Sequence, residues 1–198
     1  CYNGEHQEKE RMDKIMHEVC VFLADGFEEI EALTVVDLLR RAKVYVDTVS
    51  ITDDYTVRGA HGIPVQTEDL ITEIDFKESD MIVLPGGMPG TTILKEDENV
   101  RKAVQEAYDD GRYVAAICAA PTILADMGLL KGKRATCYPD MESEIEDAYL
   151  TGAPVATDEN IITSQGVGTA IDFALKLIEV LISEEKAVEI ADSIVYQR

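Results

Sequence analysis

The sequence is poor in basic residues and has no long apolar run, and each shortage excludes a class of protein. Its 198 residues include 18 Lys and Arg against 39 Asp and Glu, a formal net charge of −21. Nucleic acid and anionic lipid both bind through positive side chains, so we expect neither as a partner. No apolar run approaches the roughly 20 residues that cross a bilayer, so we expect no membrane span.

Cysteine and histidine are also scarce. The four cysteines are Cys1, Cys20, Cys118 and Cys137. They are too few and too scattered for a disulfide scaffold in a chain of this length, so we expect reduced thiols and a cytoplasmic location. There is no Cys-x-x-Cys pair, and all three histidines lie in the first third of the sequence. We therefore predict no metal site of ordinary spacing, and no cofactor.

The length and the apolar fraction of 46% suit one compact domain. Residues 1–17 are polar and lack periodicity, which predicts an N-terminal extension ahead of a single domain over residues 18–198. Because the chain begins at Cys1 rather than Met, we expect a processed or trimmed product. A lipid-modified N-terminal cysteine is the alternative.

From residue 19 onward, short apolar runs alternate with segments of helical period. The runs at 19–23, 81–84 and 113–117 predict strands buried on both faces, and further strands are expected at 43–51, 134–136 and 160–163. Helices are expected over residues 28–42, through 100–107, and over 119–127, 141–148 and 169–183, with a short closing helix. A hairpin is expected around residues 59–62. This alternation predicts an α/β fold with a parallel sheet covered on both faces.

Ligands of open parallel sheets bind at the carboxyl ends of the strands, and Cys118 lies at such an end. It stands between an apolar strand and a helix start, with alanines on either side, as in the nucleophile elbow of hydrolases. A helix N-terminus favours the thiolate, which predicts a reactive cysteine. The alternative is a buried cysteine that acts as a small hydrophobe.

Two other strand ends supply candidate partners for this thiol. Glu31, after the first strand, could hold or shuttle a proton, although the glutamates there could also cap a helix and face water. Gly86 and Gly87 would let backbone N–H groups approach an oxyanion, although Pro-Gly-Gly is also an ordinary turn. No histidine follows Cys118, which excludes a downstream base, and His61 fits a surface or structural role better.

Three segments together resemble the ThiJ/PfpI superfamily, in the branch of the Parkinsonism-associated protein DJ-one and bacterial ThiJ-like proteins. They are residues 25–32 (DGFEEIEA), 84–87 (LPGG) and 115–121 (AAICAAP). The resemblance implies a flavodoxin-like three-layer α/β/α sandwich with a mostly parallel central sheet, usually as a homodimer. It also implies an oxidation-prone thiolate at Cys118 that is hydrogen-bonded by Glu31.

The same resemblance implies an oxyanion pocket formed by the N–H groups of Gly87 and Ala119. Family activities include cofactor-free glyoxalase chemistry, deglycation, redox sensing and chaperoning. Tyr138 stands where the branch has a histidine, which predicts weaker glyoxalase turnover, because a phenol does not take up a proton near neutral pH. Ala119 follows the cysteine where the peptidase branch has a histidine, which disfavours peptidase activity. The missing downstream His–Glu pair disfavours glutamine amidotransfer.

Two hypotheses follow. In the first, the chain is a cofactor-free stress enzyme of the glyoxalase or deglycase type, with Cys118 as nucleophile and a small carbonyl as substrate. In the second, it is a non-enzymatic redox sensor or chaperone that works through oxidation of Cys118. A role in thiazole monophosphate biosynthesis is a weaker alternative, because it rests on the family name alone.

Overall fold

A seven-stranded sheet forms the centre of the computed structural model, which describes residues 17–197. The strands in chain order are β1 (Glu18–Leu23), β2 (Tyr45–Ser50), β3 (Thr56–Arg58), β4 (Pro64–Gln66), β5 (Asp69–Leu70), β6 (Met81–Leu84), β7 (Tyr113–Ile117), β8 (Arg134–Ala135), β9 (Tyr149–Leu150), β10 (Val155–Asp158) and β11 (Ile161–Ser164). The helices are α1 (Glu29–Arg41), α2 (Gly90–Glu96), α3 (Glu98–Asp109), α4 (Pro121–Asp126), α5 (Ala170–Leu181) and α6 (Glu184–Ser193).

The main sheet is almost entirely parallel. Its order is β10-β11-β7-β6-β1-β2-β5, and only the edge strand β10 runs antiparallel to its neighbour β11. Strands β3 and β4 form a separate antiparallel hairpin, and β8 pairs with β9. The predicted parallel sheet and hairpin are thus confirmed.

Helices cover both faces of this sheet and make three layers. On one face, α1, α5 and α6 pack apolar side chains such as Leu39 and Phe173 against the sheet. On the other face, α2, α3 and α4 do the same with side chains such as Leu94 and Val104. Strand β1 supplies both cores, because successive side chains of a strand point to opposite faces. The α/β sandwich expected from the resemblance is confirmed.

Two helical segments differ from the sequence-based expectation, and the short strands β5, β9 and β10 were not expected. Residues 141–148 were expected to be helical, but the chain forms a 3-10 helix over Pro139–Glu144 and then turns into β9. Half of residues 141–148 are acidic and only Ile145 is buried, so the segment lacks the apolar face that holds a surface helix in place. Helix α2 was not expected, because its seven residues are too few to show a helical period.

Residues 1–16 lie outside the described part of the chain, so the extension predicted over 1–17 and the single domain predicted over 18–198 stay predictions. Within residues 17–197, no helix is both long enough and apolar enough to cross a membrane.

Candidate active site

Cys118 lies directly after β7, in a backbone conformation that is rare for a residue with a side chain. Its φ is +65°, in the left-handed region where Cβ crowds the backbone. Hydrogen bonds fix this conformation on both sides: the Cys118 N–H donates to the carbonyl of Ser164 at 3.0 Å, and its carbonyl accepts the N–H of Tyr138 at 2.8 Å. The thiol therefore stands on the sharp strand-to-helix elbow that the sequence predicts.

Glu31 lies in the first turn of α1 and is fully buried. Its Oε2 accepts the Gly86 N–H at 2.9 Å. Its Oε1 has no nitrogen or oxygen partner among the described residues. The group that interacts with this carboxyl from the other side is the thiol of Cys118. The structure thus brings together the two residues predicted to act as a pair.

The two glycines after β6 are required by close packing. A Cβ on Gly86 would lie 2.6 Å from the Cβ of Cys118 and 2.7 Å from Oε2 of Glu31. A Cβ on Gly87 would lie 2.4 Å from the backbone nitrogen of Glu28, and Gly87 has a φ of +91°. Because the Gly86 N–H is taken by Glu31, Gly86 positions the carboxyl and Gly87 supplies the N–H that faces the sulfur.

The thiol and the carboxyl compete for a proton. Burial raises the pKa of Glu31 to about 7, although its bonds to Cys118 and to the Gly86 N–H oppose this. Burial and then the negative charge of Glu31 raise the pKa of Cys118 to about 12, against the N–H groups of Ala119 and Gly87. When Glu31 holds the proton, its charge no longer disfavours the thiolate, and its O–H can donate to the sulfur. The pair therefore loses its first proton near pH 7, and the proton that remains belongs to the coupled pair rather than to either residue alone.

The expectation that a helix N-terminus favours the thiolate at Cys118 is opposed by the burial of the sulfur. Helix α4 begins only at Pro121 and has six residues. Because burial raises the pKa of Cys118, the thiolate depends on the N–H groups of Gly87 and Ala119 and on a proton held by Glu31.

Tyr138 and Gly166 complete the surroundings of the sulfur. A Cβ on Gly166 would lie 3.6 Å from the ring of Tyr138, 3.7 Å from Sγ of Cys118 and 3.8 Å from Oε1 of Glu31. The three side chains thus meet around Gly166, as the substitution of Tyr138 for the family histidine leads one to expect. Gly166 itself was interpreted from the sequence only as part of a turn. The signal that could have identified it is its position just after β11, at the same sheet edge as Cys118.

A cavity beside the elbow offers space for a small molecule. It has a volume of about 480 Å³ and adjoins Ala119. Met88, Thr122 and Met141 also line it. Ala119 is the member of the Cys118 site that lines this cavity, and the side chains of Cys118, Glu31 and Tyr138 do not line it.

His61 is engaged elsewhere, as its surface position in the hairpin predicts. Its Nδ1 lies 2.8 Å from Oε2 of Glu29, and its side chain is 68% exposed. The bond to Glu29 raises the pKa of His61. This pair ties the hairpin to the start of α1, and so stabilises the turn that carries Glu31.

The fold and the site define a class: an α/β sandwich protein with a cysteine on a strained elbow, paired with a buried glutamate. The DJ-1/PfpI family profile matches residues 17–180. The chain belongs to this family.

Individual relatives agree with this assignment. The chain is 38% identical over 186 residues to Protein DJ-1 homolog B of Arabidopsis thaliana, matching 93% of this chain and 42% of that protein, so it spans less than half of that relative. It is 34% identical to the Glutathione-independent glyoxalase DJ-1 of Schizosaccharomyces pombe, over 86% of this chain and 94% of that protein. The structure of oxidized Toxoplasma gondii DJ-1 superposes with a TM-score of 0.87 at 36% identity, covering 92% of this chain and all of that one.

Proposed function

We propose that this protein consumes small reactive carbonyls without a cofactor, in the manner of a glyoxalase or deglycase, with Cys118 as the nucleophile. The observation that carries the proposal is the geometry at the sulfur: a thiol on a strained elbow, a carboxyl of pKa about 7 beside it, and two N–H groups facing it. The name of the Schizosaccharomyces pombe relative supports this chemistry.

The steps follow from these groups, taking a 2-oxoaldehyde such as methylglyoxal as substrate. The thiolate adds to the aldehyde carbon, and the carbonyl π electrons move to oxygen, giving a hemithioacetal. The N–H groups of Gly87 and Ala119 stabilise the developing oxyanion, and Glu31 returns the proton. A proton then moves from the former aldehyde carbon to the neighbouring carbonyl carbon, and the hemithioacetal hydroxyl proton passes to the neighbouring oxygen, which leaves the thioester of a 2-hydroxy acid. Water cleaves it to a 2-hydroxy acid and the free thiol, so no external oxidant or reductant is needed.

The test is consumption of methylglyoxal without glutathione, with the 2-hydroxy acid measured as product. We expect Cys118→Ala to lower kcat/KM at least a hundredfold, because the addition step then has no nucleophile. Cys137→Ala is the matched control, since it removes another buried thiol that does not face Glu31. Equal activity in Cys118→Ala and the parent would refute the proposal.

A second function, redox sensing or chaperoning through oxidation of Cys118, is favoured by a different observation. Tyr138, with a 45% exposed side chain, replaces the family histidine, which weakens turnover without removing the thiolate. Peroxide would oxidise the thiolate to sulfenate, releasing water, and then to sulfinate. Mass spectrometry after mild peroxide treatment should find the oxidation at Cys118. Oxidation at Cys20 or Cys137 with Cys118 still reduced would exclude it.

Assembly and location belong to the same proposal. We propose a cytoplasmic homodimer, as family resemblance implies. The three cysteines among the described residues are free, which fits a reducing compartment. Sedimentation of the purified chain measures the oligomeric state, and a monomer at micromolar concentration would contradict the dimer.

A further inference from the structure

A second cluster of a thiol with carboxyl groups lies near the amino ends of the strands, away from Cys118. It consists of Glu18 and Cys20 on β1 and Asp47 on β2. One ligand atom from each of the three residues lies within 4.8 Å of the others. Cys20 is fully buried, Asp47 is 4% exposed, and Glu18 is partly exposed. The cluster therefore reaches from the core to the surface through Glu18.

The register of the sheet assembles these three residues. Cys20 pairs directly with Asp47 across the parallel β1–β2 ladder. Glu18 stands two residues before Cys20, so both side chains point to the same face of the sheet. The three side chains are thus held by the backbone of two central strands, not by flexible loops.

Asp47 carries a polar atom that the described part of the protein leaves unsatisfied. Its Oδ1 is buried and has no hydrogen-bond partner among residues 17–197. Arg40, whose positive charge acts on Asp47, is hydrogen-bonded instead to Glu68 and to the carbonyl of Val46. A buried carboxylate oxygen without a partner costs about 1–3 kcal/mol, so a ligand that satisfies it would be favoured.

The charges around the cluster point to the same kind of ligand. Burial, together with the negative charges of Asp47 and Glu18, raises the pKa of Cys20 to about 12. Burial raises the pKa of Glu18, as do Asp47, Asp80 and Glu78. Burial and the acidic neighbours Asp69 and Glu68 raise that of Asp47, against a bond to Tyr45 and the charge of Arg40. Acidic groups dominate this surrounding, which favours a cation.

We propose that Glu18, Cys20 and Asp47 bind a divalent metal ion of the zinc type. Ligand atoms of a tetrahedral zinc lie roughly 3.5 Å apart, which the cluster reaches with small side-chain movements. One thiolate with two carboxylates suits zinc better than magnesium or calcium, which take oxygen ligands. On binding, the metal–sulfur bond replaces the S–H bond and the thiol proton passes to solvent. Water would fill the fourth position on the open side at Glu18.

The sequence predicts no metal site of ordinary spacing, and Cys20 lies inside the strand predicted over residues 19–23. Spacing rules find ligands that are close along the chain, whereas Asp47 follows Cys20 by a whole helix and arrives through strand pairing. This metal site concerns residues outside the proposed carbonyl site, so the two proposals stand or fall separately.

The test is titration of the full chain with Co²⁺, which gives a thiolate-to-metal absorption band when sulfur is a ligand, followed by competition with Zn²⁺. All proteins carry Cys1→Ser, so that the one cysteine outside the described residues cannot supply a thiolate to the metal. We expect one Co²⁺ per chain with this band. Cys20→Ala should abolish the band, and Asp47→Asn and Glu18→Gln should weaken binding at least tenfold.

Two matched controls separate this site from the other thiols. Cys118→Ala and Cys137→Ala should each keep the band and the affinity. Circular dichroism verifies that each variant is folded. If Cys20→Ala does not fold, Glu18→Gln tests the site in its place, because Glu18 is partly exposed and its substitution disturbs the core less. The proposal is overturned if no Co²⁺ binds, if the band survives Cys20→Ala, or if it disappears only with Cys118→Ala.

Discussion

The two ends of the sheet hold the same pair of chemical groups in opposite electrostatic settings. At the carboxyl end, Cys118 meets one carboxyl, Glu31, together with the N–H groups of Gly87 and Ala119. At the amino end, Cys20 meets the carboxyls of Asp47 and Glu18. Burial is the largest cause of a pKa of about 12 for both thiols. The neighbours of the sulfur, and not its acidity alone, distinguish a site for anionic chemistry from one for a cation.

The backbone explains this difference. A residue inside a strand has its N–H engaged in the ladder, so the sulfur of Cys20 has only side chains to meet. A residue just past a strand lies where loops and helix starts present unpaired N–H groups. Position along the strand therefore decides whether a thiol can be stabilised as an anion.

The largest effect is expected for Gly86→Ala, which tests how tightly the Cys118 site is packed. The new Cβ would collide with the Cβ of Cys118 and with Glu31, so we expect a loss of about 2–4 kcal/mol in unfolding free energy and at least a hundredfold lower kcat/KM. Gly168→Ala is the control, because no atom lies within 4 Å of its Cβ position. Urea denaturation measures the free energy of unfolding, and the carbonyl assay measures kcat/KM. Equal losses in Gly86→Ala and Gly168→Ala would contradict the close packing at Gly86.

Glu31→Gln tests the shared proton. We expect the parent's kcat/KM to rise with pH around 7, as the pair loses its first proton, and Gln to lower kcat/KM about 10- to 100-fold. In Glu31→Gln the rise of kcat/KM with pH should move above pH 7, because the thiol then ionises without a carboxyl that can take up its proton. A pH–rate profile measures this, and an unchanged limb near pH 7 would assign that ionisation to another group.

The same substitution should change how stability depends on pH. The pKa of Glu31 is about 7 in the folded protein and 4.5 in its usual range, so the unfolded chain releases the proton first. The contribution of Glu31 to the free energy of unfolding is therefore fully present below pH 4.5. It is lost as pH rises to 7, which lowers the free energy of unfolding by up to about 3 kcal/mol. Glu31→Gln should lack this contribution. Denaturant unfolding of the parent and of Glu31→Gln at pH 5 and pH 8 measures this contribution. An equal loss of unfolding free energy in the two proteins between these pH values would contradict it.

Tyr138→His would introduce the imidazole that the family resemblance implies at this position. Because imidazole takes up a proton near neutral pH and a phenol does not, we expect kcat with methylglyoxal to rise several-fold. Tyr149→His, at a 69% exposed tyrosine in β9, controls for an added histidine. No gain over that control would mean that Tyr138 does not limit turnover.

The smallest effect concerns the amino end. Asp47→Asn removes a buried charge with an unsatisfied oxygen, so we expect the metal-free protein to gain about 1 kcal/mol in unfolding free energy at pH 7. With saturating Zn²⁺ the parent should become the more stable of the two. Thermal unfolding with zinc and with a chelator measures the reversal, and its absence would count against the metal site.

Much of the fold was predictable from local patterns. The run Met81–Leu84 and the elbow at Cys118 were predicted because apolar strands, small residues and helix starts leave local signals. The first turn of α1 likewise identified Glu31. The 3-10 helix over Pro139–Glu144 was missed, because an acidic segment has no period that separates a helix from a turn.

What depends on contacts between distant segments could not be predicted. The pKa of Cys118 is raised by its burial and by the charge of Glu31, and only the folded chain brings these two causes together. The different roles of Gly86 and Gly87 depend on the folded backbone, in which the Gly86 N–H faces Glu31 and the Gly87 N–H faces the sulfur of Cys118. The cluster at Cys20 depends on the register of β1 with β2, which no local motif encodes.

The shared register of the strands also sets how far apart the two thiols lie. Cys20 aligns with Ile82 and, through it, with Val114, four residues before Cys118. Four residues along the strand and two strands across place the thiols roughly 16 Å apart. Over that distance one unit charge changes the energy of another by about 1 kcal/mol or less. A divalent ion that displaces the thiol proton adds one net positive charge at the amino end, so loading it would shift the proton balance at Cys118 and Glu31 by less than about one pKa unit.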